Sequence, residues 1–300
     1  MTTHRKQLTR RAFLARAGVL GAAVAAGAIV PTVTGLPFAS GETKQAGIDP
    51  VIALLRPALQ ELARDTINGL TTFVVPGSDP YSKAQGVSTA GAGAIQAKTP
   101  DFLMGALDNF VPLPNEYVRP VAAALATAVA DDKIPLPGDL TRLLPLQLNT
   151  VDEALKRILT TDETVPLSLI IAMTLNLLAT QVNPASLHGL FVSPFSRLSW
   201  ADKAKTMSLL EGTDSDLVQA LDVNLPEPLH QSLSGVLKFV GGALIEFSGY
   251  GSFTEYAVYN KQTRTLTGKP VGWTITGYDG IAEGWDEFKG YYQGRKKVEG

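Results

Sequence analysis

Glu246 and Glu255 flank Gly249-Tyr250-Gly251, and by type and spacing they are the residues best suited to a carboxylate pair. In such a pair one carboxyl holds a proton while the other accepts one. The competing reading is capping, with one carboxylate at a helix end and the other opening the next turn. His188 and His230 stand 42 residues apart in sequence with no histidine-rich neighbour, a pattern that fits surface or capping residues better than metal ligands. Cysteine is absent, which excludes disulfides, covalent haem attachment, thiolate-bound iron–sulfur clusters and lipoprotein acylation. Gly91-Ala92-Gly93 and Gly249-Tyr250-Gly251 lack the third glycine and the preceding strand of a dinucleotide site. There is no nucleophile elbow, phosphate loop, His-Glu-x-x-His or calcium loop. Asp279 and Asp286 read as turn and N-cap residues. The sequence predicts no catalytic residue, metal or cofactor in this chain.

The elements that would position these groups read as helices, and the fold class is mainly α, an irregular multi-helix bundle. Asp49-Pro50 reads as an N-cap with proline at the first helical position, ahead of a face made by Ile52, Leu55, Leu59, Leu62 and Ile67. Val75 to Thr99 reads as a long loop, of a length that is usually functional or partly disordered. Thr99-Pro100-Asp101 restarts a helix through Phe110. Asn115 to Ala130 forms another despite Pro120, and Pro135, Pro137 and Gly138 mark a turn. Thr150 with Glu153, and Ser199 with Asp202, have the spacing of capping boxes. Pro166 to Val182 is apolar nearly all round, interrupted by Ser168, Thr174, Asn176, Thr180 and Gln181. That predicts a buried central helix rather than a membrane span. Asp214 to Val223 reads as a short helix and Glu227 to Phe247 as a long one. Period-two alternation is missing throughout.

Composition changes after residue 238. The last 62 residues carry 12 of the chain's 22 aromatics and 12 of its 28 glycines. Glycines beside large rings predict tight turns in which each ring covers a neighbouring surface. A ring can bury roughly 150–250 Å², so these rings need a surface. Two surfaces qualify: the chain's own helices, over which the tail would wrap, or a partner, since Tyr and Trp are enriched at interfaces.

The opening segment reads as an address. Thr9-Arg10-Arg11-Ala12-Phe13-Leu14, followed by an apolar run from Ala17 to Val30, resembles a twin-arginine export signal. Arg10, Arg11, Phe13 and Leu14 carry the match, and Ala15 stands where Lys is common. As a helix the 14-residue run covers about 21 Å, short of a roughly 30 Å hydrocarbon core, which favours a signal peptide over residues 1–40. Small residues at Val33-Thr34-Gly35 and Ala39-Ser40-Gly41 offer loose cleavage sites. Extended through Leu36, the run would serve instead as an uncleaved N-terminal membrane anchor. Removing the leader's five basic residues from the chain's 26 leaves 21 against 28 acids, a net charge of −7. An acidic body without a basic run argues against nucleic acid as a partner. Residues 46–300 then form a helical domain.

From Phe191 onward the chain resembles the small subunit (subunit 3) of gluconate 2-dehydrogenase-type complexes. The likeness rests on Phe195 with the capped helix Ser199 to Leu210, the apolar helix ending at Gly249-Tyr250, Tyr256, and Gly272-Trp273 followed by Gly277-Tyr278-Asp279-Gly280. It covers about residues 190–292 and the leader. Asp279 stands where the family usually has proline, and the insert between Tyr259 and Trp273 is longer. The resemblance implies a non-catalytic escort that carries the twin-arginine signal, and thus engages the Tat translocase, for a flavoprotein oxidoreductase of the glucose–methanol–choline type. FAD would then reside in the partner, with electrons passing on to a cytochrome, and the complex would lie in the periplasm, the cell envelope or the medium. By analogy Tyr250, Tyr256, Trp273, Tyr278 and Trp285 become partner contacts. Two other expectations stand beside it. One is an exported enzyme with a site around Glu246 and Glu255. The other is an envelope binding protein that holds an apolar ligand between the Val75–Thr99 loop and the helices.

Overall fold

The structure, a computed structural model, describes residues 44–109, 157, 166–211 and 233–278. The leader residues Arg10, Arg11, Phe13 and Leu14, together with His230, Asp279, Trp285, Asp286 and the helices read over 115–130 and 214–223, lie outside them. So do the turn at 135–138 and the Thr150–Glu153 capping signature. The described part is 66% helix and 3% strand, so the mainly α class holds. In chain order it comprises α1 (Lys44–Val74), α2 (Pro80–Ala84), α3 (Thr99–Asn109), α4 (Leu167–Val182), α5 (Trp200–Glu211), α6 (Leu233–Phe253), a two-stranded hairpin of β1 (Tyr259–Asn260) and β2 (Thr265–Leu266), and α7 (Val271–Thr276). No described helix is long and apolar enough to cross a membrane.

α4 is the centre of the core. Leu, Ile, Ala and Met occupy most of its positions, and 13 of its 16 residues are buried. A helix apolar on every side must be surrounded, and α1, α3 and α5 all pack against it. On α1 the stripe Leu59, Leu62, Ala63, Thr66, Ile67 and Leu70 is buried, the i, i+3, i+4 pattern of one helix face. The expected N-cap at Asp49 is corrected: α1 already begins at Lys44 and runs through Pro50. Proline there removes one backbone donor, and the turns on either side continue regardless. α5 starts as its sequence signature predicts, with the Ser199 hydroxyl accepting from the Asp202 amide at 3.1 Å. α1 and α3 also meet α6, so residues before and after 190 share one core. Arg64 on α1 and Asp101 on α3 form an ion pair at the surface.

Two further expectations are refined. Val75–Thr99 is largely loop, as expected, with the five-residue α2 folded inside it. Asp79 caps α2 within it, accepting from the Ser82 amide at 2.9 Å and the Ser82 hydroxyl at 2.7 Å. Backbone bonds from Ser78 to Gly91, Thr89 to Gly77 and Ala94 to Val75 fold the rest back on itself. Polar residues here satisfy each other, so a polar composition did not mean a mobile chain. The second revision concerns Gly249-Tyr250-Gly251, which forms no turn but lies inside α6.

Close packing explains Gly251. A Cβ there would meet Phe102 Cδ1 and Thr99 Cγ2 of α3 at 2.8 Å each, so only hydrogen lets the two helices approach this closely. Gly249 has open space at the same atom. Gly251→Ala is therefore expected to destabilise the fold by about 1–3 kcal/mol through overpacking. Gly249→Ala should stabilise it by up to about 1 kcal/mol through helix propensity. Urea unfolding of both variants checks the pair, and equal shifts would refute the packing account.

Candidate functional site

Two arrangements carry the polar and aromatic side chains that stand out. The first is a buried network on the inner faces of α1, α2, α4 and α5. Asp65 on α1 is 6% exposed. Its carboxylate accepts from the Tyr81 hydroxyl at 2.6 Å and the Ser193 amide at 2.7 Å, while its backbone carbonyl accepts from the Ser196 hydroxyl at 2.6 Å. Asn176, buried on α4, accepts from the Ser193 hydroxyl at 2.7 Å and the Phe195 amide at 3.0 Å, and donates to the Thr66 hydroxyl at 2.9 Å. The 193–197 segment is thus bonded to both long helices. Gly69 permits that approach, since a Cβ would lie 2.4 Å from the Ser196 hydroxyl oxygen.

Lys203 completes the network from α5. Its side chain is fully buried, and Nζ donates to the Gly69 carbonyl at 2.9 Å and to Gln85 Oε1 at 2.8 Å. It also sits 5.6 Å from the centre of the Phe195 ring. Gln85 in turn donates to the Thr72 carbonyl at 2.9 Å, so α2 is fastened to α1 and α5 through one amide. Burial pulls the Lys203 amine down to about 7, against the opposing pull of Asp65 and Asp79. Burial also lifts the Tyr81 phenol well above its ordinary range, helped by the bond it gives Asp65. Arg197 closes the outer side. Its guanidinium donates to the carbonyls of Phe191 and Leu187 at 2.6 Å, Ser186 at 3.0 Å and Val192 at 3.3 Å, and desolvation lowers its pKa. Tyr81 stacks on Phe191 at 4.3 Å between ring centres.

A lysine with an amine near neutrality has the acid–base character of a catalytic group. In this structure the amine is enclosed by Gly69, Gln85 and Phe195, and its polar contacts are internal. The network works as a fastening. Its members carried weak sequence signals: Asn176 was visible only as a polar break in an apolar helix, and nothing in the sequence sets Lys203 apart from Lys205.

The second arrangement is the aromatic tail. Tyr250 and Tyr256 both lie 6.0 Å from the Phe102 ring, tilted and edge-on respectively. Trp273 and Tyr278 meet edge to face at 5.2 Å. α7 docks on α6 at Gly272, where a Cβ would come within 2.5 Å of the Phe253 ring. Gly277 ends α7 in the left-handed conformation at φ 71°, the tight turn the sequence predicts. The structure therefore brings Tyr250, Tyr256, Trp273 and Tyr278 onto elements packed around α6. Trp273 is half-buried, whereas the three tyrosines stay exposed: Tyr250 60%, Tyr256 53% and Tyr278 41%. Phe239, at 77%, is exposed on the same helix.

Glu246 lies exposed within α6 and Glu255 opens the short 3₁₀ turn (Glu255–Ala257) beyond its end. At 1.5 Å per residue, the helix from Glu246 to Phe253 alone spans about 10 Å, which separates the two carboxylates. The capping reading is corrected too, since Glu246 lies inside α6 rather than at its end and the turn at Glu255 has no side-chain cap bond. His188 is exposed at the end of the Pro184–Leu187 turn. Among the described residues no three His, Asp or Glu side chains gather as metal ligands. No protein-family model, curated protein or solved structure matches the chain.

The sign of the Lys203 effect is testable. The unfolded amine titrates near its ordinary 10.5 and the folded one near 7. Between those values the unfolded chain binds more protons, so stability rises with pH. Relative to Lys203→Met, the wild type is expected to gain on the order of 2 kcal/mol between pH 7 and pH 9. Urea melts across that range measure it, and parallel curves for the two proteins would exclude a depressed amine.

Proposed function

We propose that this chain is an exported, non-catalytic accessory subunit that binds a flavin-dependent oxidoreductase and carries it out of the cytoplasm. The observation that supports this reading most is the exposure of Tyr250, Tyr256 and Tyr278 on and beside α6 and α7. Aromatic residues held in place give up little conformational freedom on binding and dominate interface energetics. The Arg10-Arg11 leader, as an address of the type read on folded proteins, and the resemblance of residues 190–292 to the small subunit of gluconate 2-dehydrogenase-type complexes point the same way. Under this reading the reaction centre and its FAD belong to the partner, and a cytochrome is the onward electron acceptor.

The alternative of an apolar-ligand carrier used Val75–Thr99 as its mouth. That segment is bonded closed through Asp79, Ser82 and Gln85, which weighs against it.

Purification from the native envelope is expected to yield the chain together with a flavoprotein, seen as visible flavin absorbance. Tyr278→Ala together with Tyr250→Ala should weaken that complex by about thirtyfold, the effect of losing roughly 2 kcal/mol at an interface hot spot, with circular dichroism unchanged. Replacing Arg10 and Arg11 by lysine should leave both proteins in the cytoplasm. Recovery of the chain alone, with no flavin, would overturn the proposal.

A further inference from the structure

The hairpin beside the exposed tyrosines has a charge opposite to that of the rest of the protein. From Tyr256 to Tyr278 there is no Asp or Glu, while Lys261, Arg264 and Lys269 stand there. All three are exposed, as is the whole stretch from 261 to 269. The chain as a whole is acidic, with 28 acids against 26 bases, so a positive projection is a local arrangement rather than the general surface.

This hairpin is also built to hold its shape. The Asn260 side chain accepts from the amides of Gln262 at 2.9 Å and Thr263 at 3.2 Å. Tyr259 pairs across the strands with Leu266, and Asn260 with Thr265. The Thr267 amide and hydroxyl reach back to the Val258 carbonyl at 2.8 and 2.9 Å. Arg264 sits at φ 56°, a left-handed conformation that favours Gly or Asn and is strained for arginine. Strained positions concentrate where function holds them, and this one places an exposed arginine at the tip of the hairpin.

We propose that the hairpin Tyr259–Leu266 is the charged arm of the partner-docking surface, and that the partner face it meets is an acidic protein surface with an apolar centre. The proposal rests on the docking role argued above and names the chemistry of the bound face. Tyr259 and Leu266, 43% and 39% exposed, extend the tyrosine surface to the base of the arm, and Lys261 and Arg264 form its rim. Rim charges of this kind set orientation and the rate of encounter. The tip itself favours a protein over a lipid surface. Lys261-Gln262-Thr263-Arg264 holds no apolar residue that could enter hydrocarbon.

The test uses the full chain purified with its flavoprotein. Lys261→Glu with Arg264→Glu should weaken the complex by at least about tenfold, and raising NaCl from about 50 to about 300 mM should weaken the wild-type complex by a similar factor. Arg264→Gly removes one charge while relaxing the backbone, so it should weaken binding with an unchanged or higher melting temperature. A wild-type chain that carries no flavoprotein would overturn the docking role and this proposal with it. A flavoprotein retained equally by the charge-reversed and Arg264→Gly variants would overturn the proposal alone. So would unchanged flavoprotein binding accompanied by lost sedimentation with vesicles of phosphatidylglycerol and phosphatidylethanolamine.

Discussion

A single buried amine organises this fold. Lys203 reaches from α5 to a carbonyl on α1 and the side-chain amide of Gln85 at the end of α2, and its amine lies 5.6 Å from the ring centre of the fully buried Phe195. Removing an amine from water is costly unless its hydrogen bonds are replaced. A neutral amine has two N–H donors, and two acceptors are present. The backbone must bring those acceptors to one point. Gly69 does so by leaving room for Ser196, and Gln85 by lying at the end of a helix whose cap, Asp79, is itself buried. The packing of four segments is thereby fixed by polar geometry inside an apolar shell, where an unpaired group would be expensive.

The same principle decides what was legible in the sequence. Periodic apolar stripes and short-range caps were. α4 follows from its unbroken apolar run, and α5 from Ser199 three residues ahead of Asp202. Features that depend on partners far along the chain were not. Trp200-Ala201-Asp202-Lys203-Ala204-Lys205 reads as a solvated helix, and nothing local separates buried Lys203 from Lys205, which stays exposed and pairs with Asp202 at 3.0 Å. Gly251 shows the same limit. Its neighbours suggest a turn, yet its role is set by Phe102 and Thr99, about 150 residues away. The closure of the Val75–Thr99 loop shows a related limit, because its polar side chains bond to backbone of the same segment and composition alone cannot reveal that.

α6 divides the molecule into a fastened side and an open one. One face packs on α1, α3 and α5, with Leu244 and Ser248 buried. The other presents Phe239 and Tyr250, eleven residues or about three turns apart, and receives α7 through Gly272 and Phe253. Of the partner contacts that the family resemblance implies, Tyr250, Tyr256, Trp273 and Tyr278 gather around this helix, whereas Trp285 lies outside the described residues. Their convergence could not be read from spacing, because it requires α6 to continue through two glycines and the chain then to return along a hairpin.

If the chain acts as the proposed escort, a docking surface that needs no rearrangement spares the affinity that conformational change would cost. The described architecture would allow that by separating the two tasks. Rigidity resides in the Asp65–Asn176–Lys203 network, which offers solvent nothing to react with. Recognition would reside in tyrosines whose rings are partly supported by Phe102 and Trp273, so that little side-chain freedom remains to be lost. The perturbed amine is enclosed among its acceptors, while Phe239, Tyr250 and Tyr256 stay exposed, the side on which a partner would dock under the proposed function.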